Sequence, residues 1–274
     1  MKSSKKPLDV AVQAARKAGR LLMASYGKLK TSQISTKSKN DFVTELDKKS
    51  EKLILSEVRR VFPEDQIQAE ESGVSRGSGR LWIIDPLDGT SNYIHQIPLF
   101  AVSIGIQEDG KLKYGVIFDP VHDEMYVGEA GRGAFLNGRR LRVSHVPLLA
   151  DSLMTTGIPF RARERFDEYM TAFRAISTGS VGLRRGGSAA LDLAYVASGR
   201  FDGFWELDLS PWDIAAGIVL VREAGGEVSD MWGKGDFLKS GDILASNKLI
   251  HRELQKITAS IFTPLHKDKT CRFV

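Results

Sequence analysis

The sequence has one cysteine, Cys271, and lacks any long apolar run. A single cysteine cannot form an intrachain disulfide, which excludes a disulfide-rich secreted scaffold and favours a reducing compartment. The longest apolar segment, residues 214–221, is far too short to cross a bilayer. No apolar signal-peptide stretch follows the basic residues at the start. These absences predict a globular protein of the cytoplasm without membrane contact.

A basic surplus is missing from the body of the chain. The 274 residues include 39 Lys or Arg and 34 Asp or Glu, which gives a net charge of +5. All of this surplus lies in two basic tails, residues 1–6 and 266–274, so residues 7–265 are neutral overall. Nucleic-acid binders usually carry a basic face within the fold, whereas short charged termini are mostly solvated. Nucleic-acid binding is therefore a minor alternative that the tails leave open.

What is present is an ordinary globular composition, in a chain long enough to bury a core without disulfides or zinc. Apolar residues at helical spacing predict helices over 8–25 and 45–61. A short buried strand is predicted at 81–84. Asp109-Gly110 and Asn137-Gly138 each separate two strand-like runs and predict hairpins.

The second half of the chain alternates between helical and strand-like segments. Its predicted helices cover residues 166–176, 187–197, 212–224 and 247–261. Its predicted strands cover residues 180–183, 201–207 and 227–230. We predict one catalytic unit over 1–274, an α/β or α+β layered sandwich with sub-domains over about 8–147 and 148–265.

Two carboxylates stand at the end of the strand predicted at 81–84. They belong to the segment Asp85-Pro86-Leu87-Asp88-Gly89-Thr90-Ser91-Asn92. Gly89 permits close approach of the backbone to a ligand, and a helix beginning at Thr90 would present amides to an anion. Paired carboxylates would repel a phosphate unless a hard cation such as Mg²⁺ lay between them. The alternative is that Asp-Pro and Asp-Gly are ordinary turn dipeptides.

Three further acidic sites favour the metal hypothesis. They are Glu70-Glu71 after the second helix, Asp213 in the first turn of an apolar helix, and the set Asp41, Thr44 and Asp47. Each of the last two has a structural alternative. Asp213 could cap its helix or favour the helix dipole, and Thr44 with Asp47 could form a capping box.

Together these segments resemble the inositol monophosphatase family. The likeness is carried by two signatures, Asp85 to Asn92 and Trp212-Asp213-Ile214-Ala215-Ala216-Gly217. It is supported by Asp41-Phe42-Val43-Thr44-Glu45-Leu46-Asp47, Glu70-Glu71-Ser72, and Gly187-Ser188-Ala189 through Glu206. It extends from about residue 8 to about 247 and is closest to bacterial members. One departure is Ala69, where the family usually has glycine; we expect a small backbone change there without loss of Glu70 as a ligand.

The resemblance implies an αβαβα fold with mostly antiparallel sheets, of the sugar-phosphatase type. It implies a Mg²⁺-dependent phosphomonoesterase that hydrolyses myo-inositol 1-phosphate, or a related small polyol phosphate, with a metal-activated water. Glu70, Asp85 and the carbonyl of Leu87 would hold the first ion. Asp85, Asp88 and Asp213 would hold the second, and some members bind a weaker third ion beside Glu70.

The resemblance also implies roles for the surrounding residues. Glu70 and Thr90 would orient the nucleophilic water, and Asp47 would hydrogen-bond Thr90. The amides of Gly89 and Thr90 would bind the phosphate. The alcohol pocket would be formed by Gly187, Ser188, Ala189 and Glu206, together with Asp88 and Asp213.

Some points stay open at this level. Glu206 could instead be a surface carboxylate at a strand end, and Asp192 could contact substrate or satisfy a helix partner. Arg184 and Arg185 could lie at a subunit interface or at the pocket mouth. The family commonly forms homodimers. Fructose 1,6-bisphosphate, histidinol phosphate and nucleotide 3′-phosphates are alternative substrates, and a regulatory RNA- or protein-binding role is an alternative of another class.

Overall fold

The computed structural model describes residues 6–29, 32, 34–38, 41–159, 162–233, 235 and 237–263. Cys271, most of the two basic tails and the side chain of Asp41 lie outside the described residues. Within the described part, no helix is long and apolar enough to span a membrane.

Two amphipathic helices open the fold where the sequence predicts them. α1 spans Pro7–Ser25, with proline at its first turn, and buries a stripe of small and apolar residues against the sheet below. α2 spans Glu45–Val61, immediately after a two-stranded antiparallel ribbon of β1 (Ile34–Ser38) and β2 (Asp41–Thr44).

The large sheet has eight strands. They are β3 (Gln66–Ala69), β4 (Gly73–Ser75), β5 (Leu81–Asp88), β6 (Ala101–Glu108), β7 (Lys111–Asp119), β8 (Glu124–Glu129), β9 (Gly133–Leu136) and β10 (Arg139–Arg140). Their order is β10-β9-β8-β7-β6-β5-β3-β4, and only β3 and β5 pair in parallel. Both predicted hairpins are confirmed: Asp109 and Gly110 take φ of 51° and 72°, as the tight turn requires.

One strand boundary differs from the prediction. β5 does not end at residue 84 but continues to Asp88, and its pairing with β6 is shifted between Asp85 and Asp88. Such an irregularity re-aims side chains at a strand end. A short helix, α3 (Thr90–Ile94), follows at once.

In the described part of the chain the second sheet has five strands, and five helices belong to the same half of the sequence. The strands are β11 (Leu153–Thr156), β12 (Gly182–Arg184), β13 (Gly203–Glu206), β14 (Glu227–Ser229) and β15 (Ile243–Ser246), in the order β12-β11-β13-β15-β14. The helices are α4 (Phe166–Gly179), α5 (Ala189–Ala197), α6 (Pro211–Glu223), α7 (Phe237–Ser240) and α8 (His251–Ile261). β11 is parallel to both of its neighbours, and the other pairs are antiparallel.

Two helices begin later than predicted, each for a local reason. α5 begins at 189 rather than 187 because Gly187 has φ of +86° and the Ser188 hydroxyl caps the helix by accepting from the Leu191 amide. α8 begins at 251 rather than 247 because the Asn247 side chain turns the chain by accepting from the following backbone amides.

The layers stack as α1/α2, the eight-stranded sheet, α5/α6, the five-stranded sheet, and α4/α8, with an apolar cluster in each half and one between the sheets. The predicted αβαβα class is confirmed. Glycines in the large sheet let α6 lie directly on it: a Cβ at Gly115 would stand 2.4 Å from the Ala216 oxygen, and one at Gly105 2.6 Å from the Ala215 Cβ. This close contact brings the first turn of α6 to the end of β5.

Candidate active site

The end of β5 and the start of α6 bring three carboxylates together. Oxygens of Asp85, Asp88 and Asp213 all lie within 4.8 Å of one another. The shifted pairing in β5 turns Asp85 so that its Oδ1 accepts the Leu87 amide at 2.9 Å. Asp213 also accepts the Ser210 amide at 2.7 Å, so the capping alternative and membership of the cluster are both true of this residue.

Glu70 reaches the same place from the neighbouring strand. It follows β3, which runs parallel to β5, and its amide donates to the Ile84 carbonyl at 3.2 Å. The carboxylates open into one cavity of about 370 Å³. Residues from both halves of the chain line it: Glu70, Asp85, Leu87, Asp88, Gly89, Thr90, Ser91, Gly157, Ile158, Arg185, Gly187, Ser188, Ala189, Asp192, Glu206, Leu209 and Asp213.

Asp88 links the end of β5 in the large sheet to the start of α5. Its Oδ2 accepts the Ser188 hydroxyl at 2.5 Å and the Ala190 amide at 2.8 Å. These donors belong to the N-terminal end of α5, where a negative charge is favoured. Ser188 is 2% exposed, so its hydroxyl orients Asp88 and at the same time caps α5.

Asp47 and Thr90 form a second buried polar unit. Asp47 Oδ2 accepts the amide and the hydroxyl of Thr44, at 2.8 and 2.5 Å, which completes the capping box of α2. Its Oδ1 lies 3.0 Å from the Thr90 hydroxyl, which is also 3.1 Å from the Leu87 carbonyl. The capping box and the Asp47–Thr90 hydrogen bond therefore exist side by side, because Oδ2 of Asp47 binds Thr44 and Oδ1 binds Thr90.

The pKa values of these buried carboxyl groups are raised, so the groups favour a bound proton or a nearby cation. Burial, followed by the charges of Glu70, Asp88 and Asp213, raises the pKa of Asp85 well above its usual value. Burial is also the main cause that raises the pKa of Asp88 to about 6 and that of Asp47 to about 6. A bound cation would relieve this cost of ionisation.

The donor set fits a hard divalent cation. Its potential ligands are carboxylate oxygens and the nearby Leu87 carbonyl, which is the chemistry that Mg²⁺ prefers. Among the residues that line the described cavity there is no histidine or cysteine. Gly89 lies beside this set with φ of +91°, and a Cβ there would be 2.9 Å from the Leu99 oxygen, so glycine is required.

The same cavity is lined by Glu206. This residue is 8% exposed at the end of β13, so the alternative that it is a surface carboxylate is wrong. Burial and then the charges of Asp192 and Asp213 raise its pKa well above the usual range. Gly157 faces it so closely that a Cβ would stand 2.0 Å from the Glu206 Oε1.

Asp192 and Arg185, whose roles the sequence did not decide, both line the cavity. Asp192 lines the cavity and accepts the Thr155 hydroxyl at 2.8 Å, and burial raises its pKa to about 8. Arg185 lines the cavity, and its positive charge opposes the rise in pKa at both Asp192 and Glu206. Arg184 is exposed on β12.

Sequence reasoning missed Gly157, Ile158 and Leu209 as lining residues. Gly157 directly follows β11, and a glycine at a strand end signals close approach of another group. That signal identifies no partner, because Glu206 is far away in sequence. Leu209 has no signal of its own.

Comparison with known proteins supplies the family. A model of the inositol monophosphatase family matches residues 4–265. The chain belongs to the inositol monophosphatase family. It is a phosphoric monoester hydrolase of that type, and the acidic cluster agrees with the family's dependence on metal ions.

Individual relatives match over most of their length. The chain is 48% identical to an inositol-1-monophosphatase of Mesorhizobium japonicum over 91% of this chain and 94% of the relative. It is 48% identical to the Nus factor SuhB of Pseudomonas aeruginosa over 88% and 91%. The crystal structure of the extragenic suppressor protein suhB from Bartonella henselae superimposes with a TM-score of 0.88 at 45% identity, covering 91% of this chain and 97% of that one.

Proposed function

We propose that this member of the family hydrolyses myo-inositol 1-phosphate, or a closely related small polyol phosphate, with Mg²⁺. The observation that carries the proposal is one cavity that is lined by the cluster Asp85, Asp88 and Asp213 and also by Glu70 and Glu206. A phosphate ester of a polyol carries the two kinds of group that such a lining would bind, a phosphate through metal ions and hydroxyls through a further carboxylate.

The acidic cluster would hold two ions. Glu70, Asp85 and the Leu87 carbonyl would hold one, Asp85, Asp88 and Asp213 the other, and a weaker third would lie beside Glu70. Mg²⁺ bound there would supply positive charge for the phosphate and the leaving alkoxide and would lower the pKa of a water. Asp88 is already oriented for this by Ser188 and Ala190, so binding needs little rearrangement.

The chain itself would position the attacking water. When Asp47 is ionised, the Thr90 hydroxyl donates to its Oδ1, and the Thr90 oxygen then faces outward as an acceptor. Glu70 lines the cavity beside it and would accept the water's proton. The Gly89 and Thr90 amides would hold the phosphate.

Glu206 would select the alcohol. When ionised, it would accept from two hydroxyls of a ring polyol, and Gly187 and Ala189 line the same cavity. Ser188 contributes through Asp88. A buried acceptor left unpaired by a plain alkyl ester costs binding energy, which favours polyol esters.

A panel of phosphate esters tests this proposal. We expect kcat/KM to be highest for myo-inositol 1-phosphate, compared with fructose 1,6-bisphosphate, histidinol phosphate and a nucleoside 3′-phosphate. Asp88→Asn should abolish turnover of every ester, while Asp123→Asn, at an exposed position paired with Arg16, should not. Preference for another ester would overturn the substrate, and an active Asp88→Asn enzyme would overturn the metal assignment.

A regulatory role is the second candidate. The relative from Pseudomonas aeruginosa is named a Nus factor, and two basic tails flank a neutral body. RNA binding by the tails should persist in Asp88→Asn and be lost when the basic residues of both tails, Lys2, Lys5, Lys6, Lys267, Lys269 and Arg272, become glutamine. Binding unaffected by those changes would remove the tails from the proposal.

Two further expectations stay proposals, a homodimer and a cytoplasmic location. Light scattering on the purified protein should give twice the chain mass of 30.3 kDa. A single-chain mass at micromolar concentration would contradict the dimer. The sub-domain division near residue 147 likewise stays a prediction.

A further inference from the structure

A four-residue turn, residues 207–210, joins β13 to α6 beside the cavity. Glu206 precedes it at the end of β13, and Asp213 follows it in the first turn of α6. Within the turn, Asp208 adopts φ of +56°, an uncommon conformation for a residue with a Cβ. Leu209 lines the cavity. The conformation of this turn therefore fixes the separation between the polyol carboxylate and the metal carboxylate.

The turn is held from outside the cavity by the two residues that precede β15. Asp242 Oδ1 accepts the Asp208 amide at 3.0 Å, and the Gly241 carbonyl accepts the Leu209 amide at 2.9 Å. Gly241 has φ of +76°, and a Cβ there would stand 2.0 Å from the Leu209 oxygen. Only glycine permits this approach, so the contact is built into the sequence.

Asp242 is held in turn by a buried arginine. Arg165, 3% exposed, donates from Nη1 to Asp242 Oδ2 at 2.6 Å, and Asp242 is 5% exposed. Arg165 Nε donates to Glu168 at 3.1 Å, and the guanidinium packs 5.3 Å from the Phe262 ring centre. For Nη2 no hydrogen-bond partner exists within the described part of the chain.

Stability alone does not account for this arrangement. A buried ion pair contributes little net stability compared with apolar side chains of similar volume, and an unpartnered buried donor costs free energy. What the pair provides is orientation, because it fixes the direction of both Asp242 oxygens. One of these oxygens binds the turn next to the cavity.

We infer that Asp242, oriented by Arg165, is a positioning residue that fixes the turn 207–210 and thereby the separation of Glu206 from Asp213. Asp242 does not line the cavity and acts only through the turn. The inference rests on the proposed function in one respect, the assignment of Glu206 to the polyol and Asp213 to Mg²⁺.

The test compares Asp242→Ala with Asp242→Asn and a matched control. The control is Asp202→Ala, at the opposite end of β13, where a buried carboxylate accepts the Leu153 amide at 2.6 Å. KM and kcat are measured for myo-inositol 1-phosphate and for phenyl phosphate, which has no polyol. The Mg²⁺ concentration that gives half of the maximal thermal shift is measured separately, without substrate.

For Asp242→Ala we expect KM for myo-inositol 1-phosphate to rise about tenfold or more, since displacements of about 1 Å have effects of this order. The Mg²⁺ midpoint should rise severalfold, and KM for phenyl phosphate should change less. Asp242→Asn keeps an acceptor for the Asp208 amide, but its NH₂ group would face the Arg165 Nη1 donor, so this variant should restore only part of the loss. Asp202→Ala should lower thermal stability and leave both KM values and the Mg²⁺ midpoint unchanged.

The same pattern in Asp242→Ala and Asp202→Ala would overturn the inference, because it would indicate a structural role only. Should Asp242→Ala fail to fold, Arg165→Met replaces it; a raised KM supports the inference and an unchanged one overturns it. A wild-type protein inactive on both esters overturns the proposed function instead. In that case the Mg²⁺ midpoints of Asp242→Ala and Asp242→Asn still decide the inference.

Discussion

Replacing Gly157 with alanine perturbs Glu206 without changing any proposed metal ligand. A Cβ at position 157 would stand 2.0 Å from Oε1 and 2.1 Å from Cδ of Glu206, whereas ordinary contacts begin at 3.4 Å. The Glu206 carboxylate must therefore retreat from its place at the cavity wall. Displacing a positioning group by about 1 Å can cost up to about a hundredfold in rate or binding.

The expected result is a selective loss of polyol recognition. KM for myo-inositol 1-phosphate should rise about 10- to 100-fold, while turnover of phenyl phosphate at saturating Mg²⁺ stays near the wild-type value. Phosphate release measured over a substrate series gives both constants.

The matched control is Gly179→Ala, the same substitution at the last residue of α4, where the nearest atom would be 3.8 Å away. It should behave as wild type with both esters. An unchanged KM in Gly157→Ala, or an equal loss with phenyl phosphate, would refute the assignment of Glu206 to the alcohol.

Three other predictions concern the water, the buried acid and the sheet contact. Thr90→Val should lower kcat by about 100-fold or more, with Thr90→Ser largely active; equal rates in both would contradict the role of the hydroxyl. Asp192 has a folded pKa raised to about 8 from 3.8, so its contribution to stability is full below pH 4 and is lost as the pH rises to 8. The free energy of unfolding is measured by urea titration with EDTA at pH 5 and at pH 7. Between these two values it should fall by about 3 kcal/mol less in Asp192→Asn than in wild type. An equal fall in the two proteins would contradict the raised pKa of Asp192. Gly115→Ala should destabilise the protein by about 1–3 kcal/mol or more, measured by the same titrations, because the new Cβ meets the Ala216 backbone; an unchanged value would mean that α6 can shift.

Much of the fold could be predicted because its signals are local. Both α1 and α2 carry an apolar stripe at helical spacing, which marks their extent in the sequence. Pro7 stands in the first turn of α1, and Thr44 caps the start of α2. The hairpin at Asp109-Gly110 follows from residues that tolerate positive φ. The extension of β5 past residue 84 could not be predicted, since it depends on β6 lying beside it.

The site divides in the same way. The residues Glu70, Asp85, Asp88 and Asp213 stand in family motifs and could be named in advance, although their roles stay predictions. The fit of Gly157 against Glu206 and the hold of Asp242 on the turn at Asp208 join residues far apart in the chain. No local pattern encodes such contacts, so only the folded chain reveals them.

The most direct measurement is an anomalous difference map from crystals grown with Mn²⁺ in place of Mg²⁺ and with the proposed products, myo-inositol and inorganic phosphate. We expect two strong peaks about 3.5–4 Å apart, bridged by Asp85, with the polyol hydroxyls on Glu206. Peaks elsewhere, or a polyol turned away from Glu206, would contradict this expectation.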